Sequence, residues 1–334
     1  MVCVIGEALI DLVLQEPVLQ DTAADGSSSY RAHPGGSPYN VAIGLARLGQ
    51  QSRLVARLAT DAFGRQLRAH AETNGVDLSL SVVAAEPATL AVVGLDAGHN
   101  ASYDFYRTGT ADWQWTAAEL DRVPADAGWV HTGSLAAWTS PGAEVIEARL
   151  GELAAGTVLS FDPNIRPALI TEHAAALARI ERLVGLATVV KASAEDLRWL
   201  YPDLAIHTVL RRWRELGPAL VVATDGGAGA QAIADGAPFA VAARPVRVID
   251  TVGAGDAFMA GLINALARDA VLSDAVLSDA VLSAGMAGTG AAGVATISAE
   301  DVRPALDEAI LVAALTCARA GANPPTAAEL AAAH

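Results

Sequence analysis

Asp250-Thr251-Val252-Gly253-Ala254-Gly255-Asp256-Ala257-Phe258 follows the apolar run Val246-Arg247-Val248-Ile249 and leads into the helical pattern Ala257 to Leu266. The order reads as a strand, a glycine turn and a helix. Glycines just ahead of a helix leave backbone N–H groups free and unshielded, and the aligned peptide dipoles add partial positive charge there, so the turn suits a phosphate. At the helix start, the Asp256 carboxylate stabilises the helix dipole. Beside a phosphate it can also take a proton from a neighbouring hydroxyl. Spacing alone leaves both roles open.

Outward from this turn, strand-like runs alternate with amphipathic helical ones: Val2 to Ile5, Asn40 to Leu48, Ser52 to Leu58, Phe63 to Asn74, Gly128 to His131, Ala143 to Leu153, Val158 to Asp162, Ala187 to Val190 and Leu220 to Thr224. That alternation predicts an α/β fold with a parallel sheet covered by helices. Leu12 to Ala32 and Thr89 to Trp115 instead alternate apolar and polar residues, as short antiparallel strands of one small separate sheet would. Ala270 to Ser283 repeats at a period of five, matching neither helix nor strand, and reads as duplication in a surface connection. Gly285 to Thr296 reads as a glycine- and alanine-rich insertion.

The 334 residues are enough for one large α/β domain with an extensive core. A formal charge of −15 and a pI near 4.8 argue against a nucleic-acid surface and for small-molecule partners. Cys3 and Cys317 form no metal or redox spacing, and the seven histidines show no HxxH or HExxH. Met1 to Glu7 reads as a buried strand rather than a leader, and no apolar run is long enough to span a bilayer, so a soluble cytoplasmic protein is expected. The six tryptophans read as packing residues.

No GxxxxGK[ST] is present, and the only lysine is Lys191, so phosphate chemistry of the P-loop type is excluded. A second glycine turn, Gly35-Gly36-Ser37-Pro38-Tyr39-Asn40, opens the helical run Val41 to Gly49. No GxGxxG follows the first strand, which weighs against a dinucleotide oxidoreductase.

The two glycine turns together resemble the signatures of the PfkB, or ribokinase-like, family of sugar kinases. The resemblance spans nearly the whole chain. It includes Gly6-Glu7-Ala8-Leu9-Ile10-Asp11, where the family places an aspartate on sugar hydroxyls, and Val222 to Ala230, its nucleotide-side strand and turn. Tyr103 to Arg107, Gly109 to Trp113, His131 to Leu135, Asp162 to Pro167 and Arg319 to Thr326 are similar to the fructokinase branch.

The resemblance implies a ribokinase-like α/β fold over residues 1–334, with a Rossmann-like, mostly parallel sheet between helices. A small β lid would be built from about residues 12–34 and 88–115. It implies an ATP-dependent sugar kinase, with fructose as the acceptor of the γ-phosphate. Neighbouring branches act on 2-keto-3-deoxygluconate, ribose or nucleosides, and a catalytically idle sugar-binding protein would keep the same fold. Asp256 would be the base, and the N–H groups around Gly253, Ala254 and Gly255 would hold the transferring phosphoryl. The sugar side would comprise Asp11, Gly35, Gly36, Asn40, Tyr106, Arg107, Asn164 and Arg166. The nucleotide side would comprise Lys191, Ser193, Thr224, Gly226 and Gly229.

The family's metal motif NxxE is matched here by Ser193 and Asp196, so Asp196, or Glu195 beside it, would reach Mg²⁺ through water. Asp250 and the Val252 carbonyl occupy the place of a potassium loop. Partners would be sugar, ATP and a second copy of the chain paired through the lid, with neither nucleic acid nor membrane.

Overall fold

The computed structural model describes residues 1–15, 28–95, 101–269, 272 and 297–333. Apart from Leu272, the period-five repeat and the glycine- and alanine-rich tract lie outside the described residues. The strands, in chain order, are β1 (Val2–Ile5), β2 (Leu9–Leu14), β3 (Tyr30–Gly35), β4 (Ser52–Val55), β5 (Arg57–Ala59), β6 (Val82–Ala84) and β7 (Leu90–Leu95). They continue as β8 (Ala101–Tyr106), β9 (Trp129–Gly133), β10 (Val158–Asp162), β11 (Val189–Ser193), β12 (Leu220–Thr224), β13 (Ala230–Ile233) and β14 (Phe239–Val241).

The large sheet has eight strands in the order β14-β13-β12-β11-β10-β9-β1-β4. Neighbours from β12 to β4 pair in parallel, whereas β13 and β14 join antiparallel at one edge. Its central strands are buried on both faces, which is why they read as continuous apolar runs. Side chains alternate between two cores. Val2 and Val4 pack under helices Ser37–Arg47, Ala254–Arg268 and Ala299–Cys317, while Cys3 and Ile5 pack under Gly142–Leu153, His173–Leu186 and Ile206–Glu215.

The second sheet runs β3-β2-β7-β8. Its outer pairs are antiparallel as expected, but β2 and β7 pair in parallel. The long excursion from β3 through the core brings the chain back in the same direction, and a parallel pair requires such a crossover. The strand expected at Val246–Ile249 does not form. Val246, Val248 and Ile249 are 37%, 57% and 61% exposed. Pro245 offers no N–H for a ladder, and the N–H groups of Ile249 and Asp250 both donate to the Cys317 carbonyl, at 2.8 and 3.2 Å. Strand β11 runs on to Ser193, so Lys191 lies within the strand rather than at its end.

Two helices carry the glycine turns, and they touch. Helix Ser37–Arg47 begins three residues before the expected start, with Pro38 in its first turn and no side-chain cap at Gly36. Asn40 therefore lies inside the helix rather than at its start. Gly44 permits the close crossing with Ala254–Arg268: a Cβ on it would stand 2.6 Å from the Ala260 Cβ. In a solvent-facing helix, Gly→Ala gains about 0.5–1 kcal/mol. Here forced overlap costs about 1–3 kcal/mol. Gly44→Ala should therefore lower the urea-unfolding stability by roughly 1–2 kcal/mol; a stabilised variant would show that the helices are not in contact there.

Candidate active site

The cluster forms where the loops leave the C-terminal ends of the parallel strands, the usual ligand edge of such sheets. Asp256 is the third residue of helix Ala254–Arg268 and is 8% exposed. Its Oδ1 accepts the Ser37 hydroxyl at 2.7 Å, and its Oδ2 accepts Asn40 Nδ2 at 2.8 Å. The two glycine turns, separated by more than 200 residues, are thus joined through one carboxylate.

Gly253 caps this helix in the left-handed region at φ 74°, and a Cβ there would lie 2.6 Å from the Ala322 Cβ, so only glycine fits. The Ala254 N–H donates to the Thr251 carbonyl at 3.2 Å. Among the described residues this leaves the N–H groups of Gly253, Gly255 and Asp256 without a backbone acceptor, as the first turn of a helix requires. Lys191 Nζ lies behind the same turn, 3.0 Å from where a Cβ on Gly255 would be.

On the second sheet, Asp11 projects from β2, opposite His33 of β3. Its carboxylate fills the space that a side chain at Gly35 would take. Burial pushes Asp11 up to about 6, with Arg166 pulling it down and Asp256 pushing it up. These charges therefore share one space. Gly36, at φ 102°, passes so close to the chain just after β1 that a Cβ would lie 2.7 Å from the Glu7 carbonyl oxygen. Asn164 holds φ 39° and donates its N–H to Asp162 Oδ1 at 3.2 Å. Arg166 folds back on it, with Nη1 donating to Asn164 Oδ1 at 2.6 Å. Tyr106 ends β8 at 63% exposure, and Arg107 follows it.

On the other side of the helix start, Lys191 Nζ donates to Asp162 Oδ2 at 2.7 Å, with both side chains buried. Burial alone lowers the Lys191 value, but the negative charges of Asp162, Asp256 and Asp196 outweigh it and hold the ammonium above its usual value. Burial pushes Asp162 up to about 6 against the pull of Lys191, low enough to leave the pair ionised at neutral pH.

Ser193 and Asp196 form a reciprocal capping box at the start of helix Ala194–Leu200, and Asp196 Oδ1 also accepts the Ile165 N–H at 3.0 Å. Glu195 is exposed. Thr224 ends β12, and the following turn carries Gly226 and Gly229 at φ 49° and 93°. Asp250 accepts the N–H groups of Val252 and Gly321 at 3.0 and 2.8 Å, tying the anion turn to the loop after helix Ala299–Cys317. Among the described residues, no three His, Cys, Asp or Glu side chains converge to hold a metal by themselves. A cavity of about 410 Å³ between helix Ile206–Glu215, the Asp225–Gly229 turn and β13–β14 contains none of the residues around Asp256.

Sequence reasoning missed Ser37, Asp162 and Glu7 as members of the cluster. All three stand inside the quoted motifs, yet their partners are 219, 29 and 129 positions away, distances that no spacing rule spans. The buried pair yields a signed prediction. Lys191→Met strands the Asp162 carboxylate, which should destabilise the fold by roughly 3–5 kcal/mol. Without the ammonium, the Asp162 value rises further above its unfolded value, so the lost stability grows as pH rises. Urea melts should show a larger deficit at pH 8 than at pH 5; an equal deficit at both would mean that Lys191 does not hold the Asp162 value down.

The pfkB family carbohydrate kinase model matches residues 1–327. A fructokinase of Rhizobium leguminosarum bv. trifolii is 36% identical over 273 residues, covering 82% of each chain. The crystal structure of a Xylella fastidiosa fructokinase with bound ATP superposes with a TM-score of 0.83 at 28% identity, over 99% of this chain and 97% of that one. A Vibrio cholerae fructokinase solved with fructose, ADP and calcium ion gives 0.78 at 27% identity, with 99% and 97% coverage. A double mutant of the Vibrio enzyme, with fructose, ADP and potassium ion, gives 0.76 at 27% identity, with 99% and 96% coverage. With its two glycine turns closed on one aspartate and the family model matching nearly its full length, the chain belongs to the pfkB family of carbohydrate kinases.

Proposed function

We propose that the protein is an ATP-dependent fructokinase that transfers the γ-phosphate to a primary hydroxyl of fructose. The observation that carries this reading is the Asp256 carboxylate, oriented by Ser37 and Asn40 at the mouth of a turn with free N–H groups and with Asp11 and Arg166 beside it. The names of the relatives support the choice of sugar. Asp11 and Asn40 bind sugar hydroxyls, with Gly35 and Gly36 letting the sugar approach the backbone. Asp256 accepts the proton of the attacking hydroxyl. The N–H groups of Gly253, Gly255 and Asp256 hold the charge spread over the transferring oxygens. Lys191 and Arg166 add positive charge on either side, and Thr224, Gly226 and Gly229 line the nucleotide. Tyr106, Arg107 and the second sheet close over the sugar, excluding water that would otherwise take the phosphoryl group.

Mg²⁺ would supply neutralisation of phosphate charge, and Asp196 or Glu195 would hold it through water. Asp196 already accepts backbone N–H groups through both oxygens, which supports contact through water. The Asp250 carboxylate and the Val252 carbonyl are the candidate potassium ligands, supported by the potassium-bound relative. The chain acts as a homodimer paired through the second sheet, and sedimentation at micromolar concentration should return twice the chain mass; a monomer alone would remove this reading. A cytoplasmic setting is supported by the two free cysteines.

Assayed as ADP release with Mg-ATP across fructose, ribose, 2-keto-3-deoxygluconate, glucose and adenosine, fructose should be the preferred acceptor; a different preference would move the substrate, and silence with all would overturn the fructokinase reading. Asp256→Asn should lower kcat by roughly 10²–10⁴-fold while fructose binding survives. Asp11→Ala should raise the fructose KM by about 10–150-fold, the loss of one charge-assisted hydrogen bond.

A further inference from the structure

Glu7 is a carboxylate that the reaction does not use, yet it is only 1% exposed and stands at the junction of three segments. Its Oε1 accepts the N–H of Ser37 at 3.3 Å, and its Oε2 accepts the N–H of Ala136 at 3.0 Å. The next residue, Ala8, donates its N–H to Asp112 Oδ1 at 2.9 Å. One dipeptide thus fastens the sugar-side glycine turn to the short helix Ser134–Trp138 after β9 and to the segment returning from β8. Ser37 in turn donates to Asp256.

We propose that Glu7 is a positioning residue that sets the Gly35–Asn40 turn against Asp256 and thereby governs sugar binding. The inference rests on the fructokinase reading. The ionised carboxylate accepts strongly at both oxygens; protonation leaves a weaker hydroxyl acceptor at one of them, and a carboxamide turns that position into a donor that faces a donor. Burial pushes Glu7 up to about 7, with the Ala136 and Ser134 hydrogen bonds lowering it and the Asp112 charge raising it. The charged groups around it are Asp112, with Arg57 behind that residue, and Asp256 beyond Ser37. As pH falls through 7, Glu7 gains its proton and its hold on the turn weakens.

The test compares Glu7→Gln with the wild type by steady-state kinetics on fructose and on ATP between pH 6 and 8. The variant should raise the fructose KM roughly tenfold at pH 8, with the ATP KM within about twofold, and the ratio to wild type should shrink toward one at pH 6, where wild-type Glu7 is itself protonated. A ratio independent of pH, or a lowered Tm with an unchanged fructose KM, would make Glu7 merely structural. Should the variant fail to fold, a wild-type fructose KM that stays flat from pH 6 to 8 sinks the inference. A wild type inactive on fructose instead overturns the underlying reading.

Discussion

The arrangement depends on one carboxylate reached by two helices. Asp256 accepts from Ser37 and from Asn40, and those donors lie in the first turn of a helix that could not come so near if residue 44 carried a side chain. The helix crossing fixes the distance between the two glycine turns to within the reach of a hydrogen bond. In a phosphoryl transfer that distance matters more than any single contact, because there is little covalent chemistry for the protein to perform and most of the acceleration comes from placement and charge. Gly261 makes the third layer possible, since a Cβ there would lie 3.0 Å from the Ala309 Cα of the following long helix. Glycines at helix crossings, not only those in the turns, are therefore part of the site.

Holding carboxylates together has an electrostatic cost that the surroundings offset only in part. Asp11, Glu7, Asp112 and Asp162 are all raised by burial, and like charges nearby add to the effect at Asp11, Glu7 and Asp162. An anionic nucleotide approaching this edge meets a protein of formal charge −15. What makes the edge receptive is local: free N–H groups at a helix start, the Lys191 ammonium behind Gly255, and Arg166 above Asn164. Lys191 is the chain's only lysine, and the structure keeps it buried against Asp162 rather than on the surface. Its charge acts through the backbone of the turn, in a medium where screening is weak.

Most of the large sheet was legible because a strand buried on both faces leaves an unbroken apolar run, as in Val2–Ile5 and Val158–Asp162. The Val246–Ile249 run carries the same apolar signature and forms no strand. Pattern reports what a segment can bury, whereas a strand also needs a neighbour with free donors and acceptors; here the Cys317 carbonyl takes the available N–H groups first. The small sheet failed in a related way. Alternation marked its strands, but the parallel pairing of β2 with β7 follows from the path of the intervening chain, which no local window contains. In the site, Asp256 and the glycines were visible because turn and helix are contiguous. Ser37, Asp162 and Glu7 were not, because hydroxyl-to-carboxylate and ammonium-to-carboxylate contacts are properties of the folded neighbourhood.

The same contrast bears on how the two walls beside Asp256 are joined. One wall, from Asp256 to Thr224, is rooted in the large sheet and its buried helices; the other, carrying Asp11, belongs to a four-stranded sheet joined to the core through Gly6-Glu7-Ala8, Gly35-Gly36 and the chain around Asp112. Those joints add glycines and buried carboxylates to the apolar packing of Leu9, Ile10 and Ala91. Glycine tolerates a change of backbone angle, and a carboxylate gains or loses an anchor with a single proton. A site that must admit a sugar and then exclude water needs one wall free to move relative to the other. The residues that look least suited to a protein interior, Glu7 and Asp112, are found at those joints.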